Sequence, residues 1–268
     1  MARIPGIQYE PVYRAAASFV ERALRSAGSL FTPRLPVWTP DVLADLHERR
    51  ARADDGAGGK FAERWARRLD GAPPTTVRLA AELAYVHVMF AADLTPVSKR
   101  RLVTQTLARS PNPPDLSGEL DAALDQGLAG TGLAFKLRRM SQLDLLITVA
   151  VQWWQQPEPN RSARLTDPWA FKSWLGTLPH DSAYAQREAL LHLVHPDTFE
   201  PIVSPVIKQR IVAALSHHVP AGVDDVDAAL AGIRAALERR HGHGFQFIAL
   251  DIPGLWEPAK RRAIQTVH

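Results

Sequence analysis

Residues 142–154 read QLDLLITVAVQWW, the most apolar segment of the chain. Its apolar density over several helical turns predicts a helix placed at the centre of a folded core. The longest strongly apolar stretch, Leu145 to Val151, is bounded by Asp144 and Gln152. It falls far short of the roughly 20 residues that a membrane-crossing helix requires, so a core helix is expected and no membrane partner.

Apolar residues recur at helical spacing on both sides of this segment, while strand-like alternation is scarce. The expected fold is mostly α: a multi-helical globular bundle of about ten helices with at most a short strand near the C-terminus, over Phe245 to Leu250. Upstream, Val12, Ala15, Phe19, Ala23 and Ala27 mark a helix from Tyr9 to Ala27 that stops at Gly28, read as its C′ glycine. Thr39-Pro40-Asp41 combines a cap, a proline at N1 and a first-turn acid, and launches a helix through His47 toward Arg52. Phe61 to Leu69 reads as a short Arg-rich helix and Val77 to Phe90 as a strongly apolar one capped by Thr75 or Thr76. Thr95-Pro96 opens another, through Ala108. Prolines keep Ser110 to Ser117 out of a helix, whereas Gly118 to Leu128 can form a short one. Downstream, Pro157 to Asp167 reads as a polar loop, and Asp167-Pro168 repeats the cap-plus-proline signal. Asp181 or Ser182 begins a helix ending near His195-Pro196, Ser204-Pro205 caps the next through His217, and Asp224 or Asp225 caps the last through Arg240.

The breaks at Asp54 to Gly59 and at Gly71 to Pro74 predict two units: an N-terminal helical, Arg-rich region at 1–72 and a main helical domain at 73–268. With 268 residues, 46% of them hydrophobic, the chain has enough apolar material for a core without staples. The absence of cysteine removes disulfides, thiolate zinc sites, iron–sulfur clusters and a thiol nucleophile. MARIPGIQYE, the first ten residues, holds no apolar run behind its arginine, so no secretory signal is expected and the cytoplasm is the expected location. Arginine, 26 residues against 6 lysines, supplies a net charge of +4 that is unevenly spread. Residues 1–109 carry 17 basic and 11 acidic side chains, and residues 110–268 carry 15 and 17, so an anionic partner is expected on the first half.

Several catalytic signatures fail on spacing. Gly59-Lys60 has Asp54 where a phosphate loop needs its first glycine, and Phe61 where it needs a magnesium-binding hydroxyl. None of the lysines has an acid two positions before it, the offset common in restriction nucleases. His47-Glu48 lacks a second histidine at zinc-protease spacing, and no Gly-x-Ser-x-Gly elbow occurs. Histidines pair at His192 and His195, at His217-His218, and at His241 with His243. A metal site there lacks a thiolate third ligand, and histidines near helix ends have a purely electrostatic reason to be there. A metal-dependent hydrolase using His192, His195 or His241 with Asp197 is the enzymatic alternative.

The basic positions group as Arg49 and Arg50 with Arg52, Arg64 with Arg67 and Arg68, Lys99 with Arg100 and Arg101, and Arg138 with Arg139. Arg64, Arg67 and Arg68 share a helix face at i, i+3 and i+4, a spacing that presents several charges to adjacent phosphates, although solvated helix faces carry the same pattern. Trp153-Trp154, Trp169 and Trp174 lie at helical spacing beside Leu and Phe, which points to core packing rather than to base stacking.

The segment from Ala189 to Leu215, ALLHLVHPDTFEPIVSPVIKQRIVAAL, is the most distinctive in the chain. With it go AAELAYVHVMF at Ala80 to Phe90, Lys99-Arg100-Arg101-Leu102, the GTG turn before Phe135 and Arg138-Arg139, DPWAF at Asp167 to Phe171, and Ile233 to Leu237 leading to Phe245-Gln246-Phe247. Together they resemble the N-terminal, non-ATPase region of actinobacterial McrB-like AAA-family restriction proteins. In that family this region precedes an ATPase module that moves on DNA and works with a separate nuclease. The resemblance therefore implies a non-catalytic recognition or adaptor module of a restriction or anti-phage defence system, without a cofactor or metal of its own. DNA and an AAA-family ATPase or nuclease subunit are the implied partners. The expected phosphate clamps are Arg49, Arg50, Arg64, Arg67, Arg68, Lys99, Arg100, Arg101, Arg138 and Arg139. A protein-interaction adaptor without DNA affinity is the rival reading.

Overall fold

The computed structural model describes residues 1–53, 58–179, 182–241 and 244–248. Helix α1 (Glu10–Ser18) has Pro11 in its first turn and continues as a π-helical stretch, Phe19–Arg25. α2 is Pro40–Ala53, α3 Phe61–Arg68, α4 Pro74–Met89, α5 Pro96–Leu107, α6 Gly118–Ala122, α7 Gly132–Leu137 and α8 Arg139–Trp154. α9 (Glu158–Thr166), α10 (Pro168–Gly176), α11 (Tyr184–Val194), α12 (Pro205–Ala214) and α13 (Val226–His241) follow. The fold is all-α, with thirteen α-helices and no strand among the described residues. Phe245 to Ile248 form no strand, and the rest of the expected one lies outside the described residues.

Local chemistry explains most of the starts. Thr95, Asp167 and Ser204 each precede a proline and accept a backbone N–H of the following turn, from Ser98, Trp169 and Ile207 respectively. Asp225 caps α13 by accepting from Asp227 and Ala228. Two of the expected boundaries are corrected. Thr76 lies inside α4, where its hydroxyl donates to Asp45 at 2.6 Å, and the helix begins earlier, at Pro74. Gly28 is not the left-handed residue after the first helix: Ala27 is, at φ 56°, while the Gly28 N–H donates to the Arg22 carbonyl at 2.7 Å. A Cβ at Gly28 would stand 3.2 Å from the Pro33 carbonyl oxygen, a tight approach that glycine avoids.

The expected loop over 157–167 is instead α9, which buries none of its residues and so has no apolar stripe to announce it. Its arginines cover indole faces, Arg161 over Trp154 at 4.3 Å and Arg164 over Trp174 at 5.3 Å.

α8 packs on α2, α4 and α11 and buries Leu143, Leu145, Leu146, Ile147, Val149, Ala150 and Trp153. It shares the centre with α4, which is buried around its whole circumference from Leu79 to Met89. Glu82, in the middle of α4, accepts hydrogen bonds from Ser29 Oγ, from Phe31 N at 3.3 Å and from Trp38 Nε1 at 2.6 Å. Burial pushes its carboxyl above the usual carboxylate range. One apolar core runs from Ile4 to Val203, so it crosses the expected boundary between 72 and 73: Val12, Phe19, Trp38, Leu46 and Trp65 pack into the same cluster as α4 and α8. The Gly71 to Pro74 break is a tight connection between helices of one core. A second, smaller cluster joins α12 to α13 through Ile211, Leu215, Leu230, Ile233 and Leu237.

Candidate nucleic-acid interface

The fold sorts the expected basic contacts into two groups. On α5, Lys99 is buried with its Nζ donating to the Gln126 carbonyl, and burial pushes its ammonium down to about 8. Arg100 forms a two-point contact with Asp121, at 2.7 and 2.8 Å, and reaches Asp125 at 2.8 Å. Arg101 is exposed.

The other basic positions lie on α2, on α3 and at the start of α8, and α3 packs on both α2 and α8. Arg68 is buried and pairs with Asp144 of α8 at 2.5 Å. Arg50, near the end of α2, donates from Nη1 to the Asp144 carbonyl at 3.3 Å and to Thr148 Oγ1 at 2.8 Å. Its Nη2 lies 3.2 Å from His47 Nε2, and burial, together with the Arg50 charge, lowers the His47 pKa. Arg139 lies over the Phe61 ring at 5.5 Å, which ties the first turn of α8 to the first turn of α3. Arg67 donates to the Gly58 carbonyl at 2.8 Å, and Arg64 is half-exposed on the same helix. Arg138 is exposed at the α7–α8 corner.

Four expected phosphate clamps are therefore corrected. Arg68, Lys99 and Arg100 are matched inside the fold as just described. Arg49 binds Asp45 at 2.9 Å and donates to the carbonyls of Asp70 and Gly71, holding α2 to the loop after α3. These cations fasten helices to one another, a demand that outcompetes an external phosphate while the pairs are intact.

Arg50, Arg64 with Arg67, and Arg138 with Arg139 come from three separated stretches and are partly or fully exposed, and Arg50, Arg64 and Arg67 also have partners within the fold. Arg138 and Arg139 stand at the N-terminus of α8, which has no side-chain cap hydrogen bond and no acidic residue in its first turn. The partial positive charge of that helix end adds to the guanidinium charges. Beside it lies a polar depression of about 220 Å³, lined by Arg50, Ser141, Asp144 and Thr148. Asp144, which anchors Arg68 and borders this depression, did not stand out in the sequence; its only signal was an acid within the most apolar helix.

Among the described residues the histidines assemble no metal site. His192 uses both ring nitrogens, Nδ1 with the Phe199 carbonyl at 2.6 Å and Nε2 with the Tyr13 hydroxyl at 3.2 Å. His195 Nε2 is held by the Arg164 carbonyl at 2.9 Å. The side chain of His241 lies outside the described residues, among which no group of three metal-ligating side chains converges.

Comparison with protein-family models, with curated proteins and with solved structures gives no match.

Proposed function

We propose that this chain is a non-catalytic recognition module that binds nucleic acid through arginine contacts to phosphate, in a cytoplasmic McrB-like restriction or antiviral defence system. One observation carries the reading: Arg138 and Arg139 stand at the uncapped start of α8, and α3, which bears Arg64 and Arg67, packs on that helix with Phe61 under Arg139 while Arg50 of α2 reaches its Thr148. The guanidinium fork matches two phosphate oxygens at once, and a helix N-terminus favours the same charge. Contacts of this kind fix position on a duplex without reading its sequence. The family resemblance supplies the setting, in which ATP-driven movement and cleavage belong to partner subunits and this chain supplies the grip.

Each phosphate neutralised releases counterions, so affinity falls linearly with salt on logarithmic axes. Fluorescence anisotropy of a labelled duplex, with and without modified cytosine, is the test. Binding at low salt is expected, with a slope of about −3 to −5 for three to five phosphate contacts. Absence of binding at low salt to either duplex would overturn the proposal.

A further inference from the structure

At the α7–α8 corner a cavity of about 420 Å³ opens between the turn before α7, the first turn of α8 and the starts of α11 and α12. That volume lies in the range of small-molecule sites, roughly 300–1,000 Å³. Its walls are apolar, with Leu133, Phe135, Tyr184, Val203 and Ile207 among them, and Arg138 is the one charged side chain of its described lining. Among the described residues the Arg138 side chain makes no hydrogen bond or ion pair.

The walls are held from behind. Asp93 accepts from Thr131 N at 3.0 Å, Thr131 Oγ1 at 2.8 Å and Gly132 N at 3.2 Å, which fixes the turn before α7. Gln142 bridges α8 to α11, donating to the Ser182 carbonyl at 3.0 Å and accepting from Gln186 N at 3.1 Å. His87 of α4 stacks on Phe135 with ring centroids 4.4 Å apart. A cavity braced on three sides keeps its shape without a ligand, which lowers the cost of binding one.

Apolar exposure is concentrated here. Of the nine large apolar side chains that are exposed among the described residues, Leu133 and Tyr184 line the cavity, and Leu137 and Val206 adjoin its lining residues in the chain. Solvent-facing apolar groups around a concave site are the mark of a binding surface rather than of random exposure.

We propose that this cavity binds a small apolar monocarboxylate, its hydrocarbon or aryl body against Phe135 and Tyr184 and its carboxylate paired with the Arg138 guanidinium. Among the described residues the lining offers one guanidinium, which matches one carboxylate in a two-point contact, and no second cation for a dianion. Arg138 is shared with the proposed nucleic-acid contacts, and a small-molecule probe tests the cavity with no nucleic acid present.

Calorimetric titration of the full chain with octanoate, and with octanamide as its neutral counterpart, tests the assignment. Saturable single-site binding of octanoate is expected, about tenfold weaker in Arg138→Gln, while octanamide binds both proteins equally weakly. Ala185→Trp fills the cavity and abolishes octanoate binding without lowering the thermal transition. Should that variant unfold, chemical-shift mapping of the unaltered protein replaces it, and octanoate must perturb Leu133, Phe135 and Tyr184. Non-saturating heats, an octanoate affinity unchanged by Arg138→Gln, or perturbations confined to other residues would overturn the proposal.

Discussion

His192 sits in α11 with its hydrogen bonds fully assigned by its neighbours. The Ile4 N–H donates to the Tyr13 oxygen at 2.7 Å, so the Tyr13 hydroxyl proton is directed to His192 Nε2, and Nδ1 carries the proton given to Phe199. The ring is thus a neutral link joining the N-terminal segment, α1 and the chain after α11. Burial lowers both His192 and His87 to about 4, below the ordinary value of 6.5. In the window between those values the unfolded chain takes up a proton that the folded chain refuses, so stability falls as pH drops from 6.5 through 4. Each ring accounts for about 3 kcal/mol of that loss. Urea unfolding at pH 7 and pH 4 checks this: His87→Gln should lose about 3 kcal/mol less than the unaltered protein over that interval. An unchanged difference between the two pH values would contradict it. The His192–His195 spacing was legible in the sequence, but their separate engagements were not, since Tyr13 and Arg164 reach them from distant parts of the chain.

At the scale of elements, proline and cap signals located the starts of α2, α5, α10 and α12 because capping is local chemistry, decided within a single turn. α9 escaped notice because it pays no debt to the apolar period: its arginines cover indole rings from outside, a relation that exists only after folding. Glu82 also belongs to this scale. It reads as an isolated acid in an apolar helix, yet it receives the loop between α1 and α2 through Ser29, Phe31 and Trp38. Glu82→Ala would leave these buried donors unmatched and is expected to destabilise the fold by about 3–5 kcal/mol. Glu82→Gln keeps one acceptor oxygen and should cost roughly half as much. Equilibrium urea unfolding distinguishes the two, and equal losses would show that acceptance of these bonds is not what Glu82 contributes.

For the whole molecule, helical class was legible because apolar periodicity is summed over many turns, whereas the placement of the arginines was not. Helix spacing showed that Arg64, Arg67 and Arg68 share one side of α3. It could not show that Arg68 turns inward to Asp144, or that Arg139 meets Phe61 from across the fold. Nor could it show that residues 1–72 complete a core shared with α4 and α8, which is what carries α2 and α3 to the start of α8. The positive face is therefore a product of packing and has no counterpart as a contiguous motif. Its role is tested most directly by comparing salt-dependent duplex binding of Arg64→Ala/Arg67→Ala/Arg139→Ala with that of Arg101→Ala on α5, after confirming that both retain helical content. The combined variant should bind the duplex at least tenfold more weakly at low salt, with a slope shallower by about 2–3, while Arg101→Ala matches the unaltered protein. Unaltered affinity and slope in the combined variant would contradict the assignment of this face to nucleic acid.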